Sequence, residues 1–114
     1  MEKILTIDGR QVKFKSTGAF LLRYKAQFGQ DPLPQIFKLA EVINEEGEIT
    51  DINALDLEFF FNLIWVLAKT ADPSIPPPME WLDTFDEFPL ADILPELMDM
   101  ISSSLQSTVE NKKK

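Results

Sequence analysis

The chain contains neither cysteine nor histidine. Without cysteine there can be no disulfide, thiolate nucleophile or thiolate metal site. Without histidine the commonest general base and the commonest transition-metal ligand are missing. Ser-His-Asp and Cys-His triads, zinc hydrolases and haem held by His or Cys are therefore excluded, while carboxylate chemistry is not. Glycine is scarce, with four residues, and none belongs to a phosphate-cradling loop. Positive charge is nearly absent from most of the length: residues 39–111 hold one basic residue, Lys69, against sixteen acidic ones. Residues 1–38 hold seven basic residues against three acidic, and Lys112, Lys113 and Lys114 bring the formal net charge to −8. Such an acidic surface repels phosphate backbones, so nucleic acid is not expected as a partner. Solubility is the simplest role for the acidic excess, and attraction of a basic partner surface is the functional alternative. Long hydrophobic runs are lacking as well. The longest, Phe59–Ala68, is interrupted by Asn62 and is too short to span a bilayer. Met1–Leu5 has no basic region ahead of an apolar stretch, so no signal peptide is expected. These absences predict a soluble protein of the cell interior.

Apolar residues make up 45% of the 114 positions, including nine Phe and two Trp, enough for one hydrophobic core and one domain. Residues 3–15 predict a β-hairpin. Asp8-Gly9 is a strong two-residue turn signal because Gly accepts positive φ. That turn pairs Leu5 with Val12 and sets Ile7 and Phe14 on one apolar face, opposite Thr6, Gln11, Lys13 and Lys15. A lone hairpin is marginal in water and must dock on something.

Ser16-Thr17 reads as the cap of a first helix ending at about Phe28, with Gly29 as its stop. Phe20, Tyr24 and Phe28 recur at i, i+4, i+8 as an aromatic stripe. Asp31-Pro32 starts a second helix whose apolar face is expected to be Leu33, Ile36, Phe37, Ala40 and Ile43. An acidic loop around Gly47 follows. The third helix begins at Asp51 or Asp56 and runs to Ala71. Its middle is apolar almost all round, which places it at the centre of the fold. Asp72–Pro78 predicts a stiff, extended connector. Met79 to about Asp86 predicts a short helix burying Trp81, Leu82 and Phe85. The last helix is expected from Pro89 to Leu105, with a kink or restart at Pro95, and residues 106–114 are expected to be a flexible polar tail. The resulting fold class is mostly α within α+β: an N-terminal β-hairpin packed on a compact bundle of about five helices, spanning residues 1–105 as a single domain.

Few residues suggest chemistry. Asp83, Asp86 and Glu87 cluster, but they lack the glycine turn and alternating ligands of a calcium loop. They also lack a companion group that would fix a substrate, so a solvated acidic face is the simpler account. Pro73-Ser74-Ile75-Pro76 fits a loose PxxP pattern, and a rigid linker explains it better. The aromatic stripe of the first helix has no basic groove beside it and reads as core. Asp8-Gly9 reads as a turn and nothing more. No catalytic, metal or cofactor site is expected. The Leu90–Leu105 stripe reads first as core, and second as a face receiving an amphipathic partner helix, with Met98 and Met100 lending adaptability. The expected apolar anchors for a partner are Phe85, Phe88, Leu97, Met98 and Ile101, because they follow a rigid connector and lie amid excess acidic charge.

The stretch Trp65 to Pro76, then Glu80-Trp81-Leu82-Asp83-Thr84-Phe85 and Phe88-Pro89, resembles the tail assembly chaperones encoded by siphophages and prophages of Gram-positive bacteria. Ile7-Asp8-Gly9, Val12–Lys15, Thr17-Gly18-Ala19 and Arg23-Tyr24 are similar to that family's hairpin and first helix. Asp92–Glu96 and Ile101–Ser104 are similar to its last helix. The resemblance covers roughly residues 3–105 and rests on the order and spacing of these pieces, none of which is diagnostic alone. It implies a protein without enzymatic activity or cofactor that binds the phage tape measure protein and keeps it soluble and extended while the tail tube polymerises. It further implies action in the cytoplasm of the bacterial host and absence from the mature virion. Many members are made in two lengths by programmed frameshifting, and the lysine codons of 112–114 are necessarily adenine-rich. A longer product would carry the part that recruits tail tube subunits. A structural head–tail connector or tail-terminator subunit is the alternative reading, which the composition of purified virions would separate.

Overall fold

A computed structural model describes the backbone of residues 1–113 and the side chains of residues 1–105. Two strands, β1 (Glu2–Ile7) and β2 (Arg10–Lys15), pair antiparallel with Leu5 opposite Val12 and Ile7 opposite Arg10, the register expected. Asp8 and Gly9 both have positive φ, 53° and 75°, as a turn matching the right-handed twist of the strands requires. Ile7, Val12 and Phe14 are buried, while Thr6, Gln11 and Lys13 face solvent.

Five α-helices follow: α1 (Phe20–Phe28), α2 (Leu33–Val42), α3 (Leu57–Ala71), α4 (Pro78–Leu82) and α5 (Leu90–Lys113), with a 3-10 turn at Ile52–Ala54. This is the α+β arrangement expected, a hairpin laid on a helical bundle. The core is organised around α3, which packs against β2, α1, α4 and α5. Phe59, Phe60 and Leu63–Ala68 are all buried, and Phe61 and Asn62 are partly so. Asp56 is the helix cap, its carboxylate accepting from the Phe59 N–H at 3.2 Å. An aromatic chain ties α1 to α3: Tyr24 lies 4.8 Å from both Phe28 and Phe59, and Phe28 meets Trp65 edge-on at 5.8 Å.

Several local expectations are corrected. α1 starts at Phe20 without a side-chain cap. The Thr17 hydroxyl instead accepts from the Ala19 N–H, closing a turn ahead of the helix. In α2 the buried face is Ile36 and Leu39, while Phe37 and Ala40 are exposed. Ile36 and Phe37 point about 100° apart, and the 3-residue step to Leu39 selects the former. α4 stops at Leu82, although Phe85 is buried beyond it. α5 runs through Pro95 without a restart, and its backbone reaches Lys113, past the expected end at Leu105. The side chains of the expected flexible tail, 106–114, lie outside the described residues.

The connector after α3 is fastened to that helix by two side chains. Lys69 Nζ donates to the Pro73 and Ile75 carbonyls, each at 2.7 Å, and Trp65 Nε1 donates to the Pro76 carbonyl at 2.8 Å. Prolines contribute no N–H to hold an extended segment in place, so donors from α3 take that role. No helix among the described residues is long and apolar enough to cross a membrane.

Candidate interaction surface

The five expected anchors do not share one surface. Leu97 and Ile101 have no exposed area, and Phe85 is 7% exposed. Phe88 and Met98 are partly buried and keep some contact with solvent. The geometry explains the division. Phe85 stands edge-on to Trp81 at 5.3 Å and lies 5.2 Å from Phe88, which also meets Trp81 at 5.6 Å and Phe61 at 5.8 Å. The outer face of the Phe85 ring is covered by the Arg10 guanidinium, 3.7 Å from its centroid. A cation over an aromatic face is an attractive contact even at an exposed site, so Phe85 is covered on that side by Arg10 and on the other by the aromatic cluster. Leu97 and Ile101 lie on the α5 face turned into the core, with Leu94 and Met100.

The hairpin turn does more than reverse the chain. Arg10 Nη2 donates to Thr84 Oγ1 at 2.9 Å, and the Asp8 carboxylate accepts from the Asp86 N–H at 2.9 Å. Together these clamp the loop after α4 and fix the aromatic cluster. Nothing local in the sequence signals this, because the partners are more than seventy positions apart.

The charge asymmetry of the sequence becomes a feature of the surface. Between the loop at 44–49 and the first turns of α5 lies a cleft of about 630 Å³. It is bordered by Glu46, Glu48, Asp92, Glu96 and Asp99, with Lys3 at its edge. Lys3 pairs with the Glu96 carboxylate at 3.4 Å. The loop is shaped by Asn44, whose side-chain oxygen accepts from the Glu46 and Glu48 N–H groups at 3.0 and 2.9 Å, and by Gly47 at φ 80°. No group of three or more carboxylates in a metal-binding arrangement occurs among the described residues, and Asp83, Asp86 and Glu87 are exposed. Isolated apolar side chains are the other surface feature: Met79 is 75% exposed, Leu22 69%, Ile4 57% and Phe37 50%.

Among titrating groups, the Tyr24 hydroxyl is pushed up by burial, against a smaller opposite pull from hydrogen bonding with Asn62. The Asp72 carboxyl is held down by hydrogen bonds from the Ser74 side chain and backbone. The Glu2 carboxyl is held down by Lys13 beside it. All three shifts have ordinary structural causes.

Compared with models of known protein families, with curated proteins and with solved structures, the chain matches none.

Proposed function

We propose that this protein is a non-catalytic tail assembly chaperone of a long-tailed phage or prophage, binding the tape measure protein in the host cytoplasm. The observation that supports the reading best is the packing of the segments that carry the resemblance. Within the 65–89 run, Trp65 and Lys69 hold the Pro73, Ile75 and Pro76 carbonyls, and Trp81, Phe85 and Phe88 pack as an aromatic cluster, so these pieces of the similarity coincide with ordered contacts. Contact with the partner is assigned to Phe88 and Met98, which keep solvent exposure beside strongly acidic segments. Phe85, Leu97 and Ile101 support them from beneath. Charged rims mainly steer encounter, and apolar anchors supply affinity.

The test is co-expression with a phage tape measure protein. Wild-type protein should keep that product soluble. The Phe88→Ser/Met98→Ser double variant, confirmed folded by circular dichroism, should lose the effect. Unchanged rescue by that variant would move the contact surface to residues 1–38. A stoichiometric amount of the protein in purified virions would overturn the chaperone reading in favour of a connector or terminator subunit.

A further inference from the structure

Beside β2 the fold leaves a strand-shaped vacancy. With a two-residue turn, Ile7 and Arg10 exchange both backbone bonds, and the alternation continues through Leu5·Val12 and Lys3·Phe14. Met1 and Ser16 complete it, exchanging bonds at 2.9 and 3.0 Å. Gln11 and Lys13 therefore direct their backbone N–H and C=O groups away from β1, and no backbone partner takes them among the described residues. That edge opens on a groove of about 650 Å³ whose far wall is the connector at Ile75 and Pro76, with Val12 and Trp81 below.

The wall cannot pair with β2 itself. Its prolines have no N–H to donate, and the carbonyls of Pro73, Ile75 and Pro76 are already held by Lys69 and Trp65. The same bonds keep the wall from collapsing onto the strand. Unpaired edges are usually closed by a bulge, a covering element or charge. Here the edge is flanked by a fixed wall whose apolar part is Ile75 and Pro76, and it carries Lys13, whose contact with Glu2 at 3.2 Å is an exposed ion pair of the kind that contributes little. Asp72, the acidic group of the groove, is occupied by Ser74.

The geometry points to a peptide-binding groove at the outer edge of β2, taking an extended segment of alternating acidic and apolar residues as an added antiparallel strand. This goes beyond the chaperone reading and does not depend on it. Strand addition supplies backbone bonds to Gln11 and Lys13, while alternate side chains read the groove. Guest residues opposite Lys13 and Gln11 lie on the solvent face, where an acidic side chain meets Lys13. Guest residues between them point down toward Val12, Ile75 and Trp81 and should be apolar. The edge from Arg10 to Lys13 matches about four guest residues at roughly 3.3 Å each.

The test uses an end-blocked peptide alternating glutamate and valine, titrated into isotope-labelled full chain and followed by amide NMR. The Gln11 and Lys13 amides should move downfield and become protected from exchange. In an antiparallel pair, residues directly opposite exchange both bonds, so N-methylation of the glutamates should weaken binding by at least about tenfold. N-methylation of the valines should leave it nearly unchanged. A lysine–valine peptide should bind more weakly than the glutamate one, and Lys13→Glu should reverse that order. The proposal is overturned if Gln11 and Lys13 stay unprotected at millimolar peptide, if both N-methylated peptides bind alike, or if wild type prefers the lysine peptide.

Discussion

α3 and the stretch from Phe85 to Ile101 are both rich in apolar residues, and the sequence invites different readings of them. α3 has no wet face and can lie nowhere but the centre. The later stretch has an apolar stripe and an acidic face, which fits either a core helix or a docking surface. In the structure the stripe is spent inward: Leu94, Leu97, Met100 and Ile101 are as buried as Leu63 and Leu67. In a chain of this size, the regular stripes go to the core. What remains for contact with other molecules is Phe88, Met98 at the margin of the stripe, where it is only partly buried, and backbone left unpaired at a strand edge.

That contrast can be broken by substitution. Trp65→Ala should have the largest effect, about 3–5 kcal/mol, since it removes a buried ring and the bond to Pro76. Urea denaturation would measure it, and a loss below about 1 kcal/mol would remove α3 from the centre. Leu97→Ala should destabilise by about 2–5 kcal/mol, while Met98→Ala, at a partly exposed site, should cost clearly less. Equal effects would mean that the two faces of α5 are not distinguished as described. Lys69→Met should cost about 0.5–1.5 kcal/mol, since it removes the donor to two connector carbonyls that lie partly open to water. Its signature is faster amide exchange in residues 72–76 with little change in α5.

A smaller effect concerns pH. The folded chain holds the Tyr24 proton more tightly than the unfolded chain does, because burial disfavours the phenolate. The stability this contributes is whole below the ordinary phenol value of 10.0 and declines as pH rises through the higher folded value. Tyr24→Phe should flatten the alkaline limb of thermal stability. A limb unchanged by the substitution would assign it to other groups. Phe37→Ser, at the exposed position of α2, should change stability by no more than about 0.5 kcal/mol.

Much of this was legible beforehand where one local rule decides. Asp8-Gly9 dictates the hairpin register, Asp56 caps α3, Gly29 ends α1, and an apolar run without a wet face must be buried. Reading failed where the deciding partner is remote. Nothing near Phe85 announces that Arg10 will cover it, and the Asp8 carboxylate finds the Asp86 N–H only after the chain has closed on itself. The candidate anchors suffered most from this. A docking residue and a core residue on the same helix obey the same period, and the helices packed beneath them decide which is which.

Those remote partners also order events in time. Lys3 reaches Glu96, Arg10 reaches Thr84, and Asp8 reaches Asp86, across separations of 93, 74 and 78 positions. During synthesis the hairpin leaves the ribosome long before its fastenings exist, and Ile7, Val12 and Phe14 wait uncovered until α3 and the loop after α4 emerge. Contacts this distant close late. The hairpin is therefore made before the elements that fasten it, and a chain cut short before about residue 84 would lack both the Arg10–Thr84 and the Asp8–Asp86 contacts.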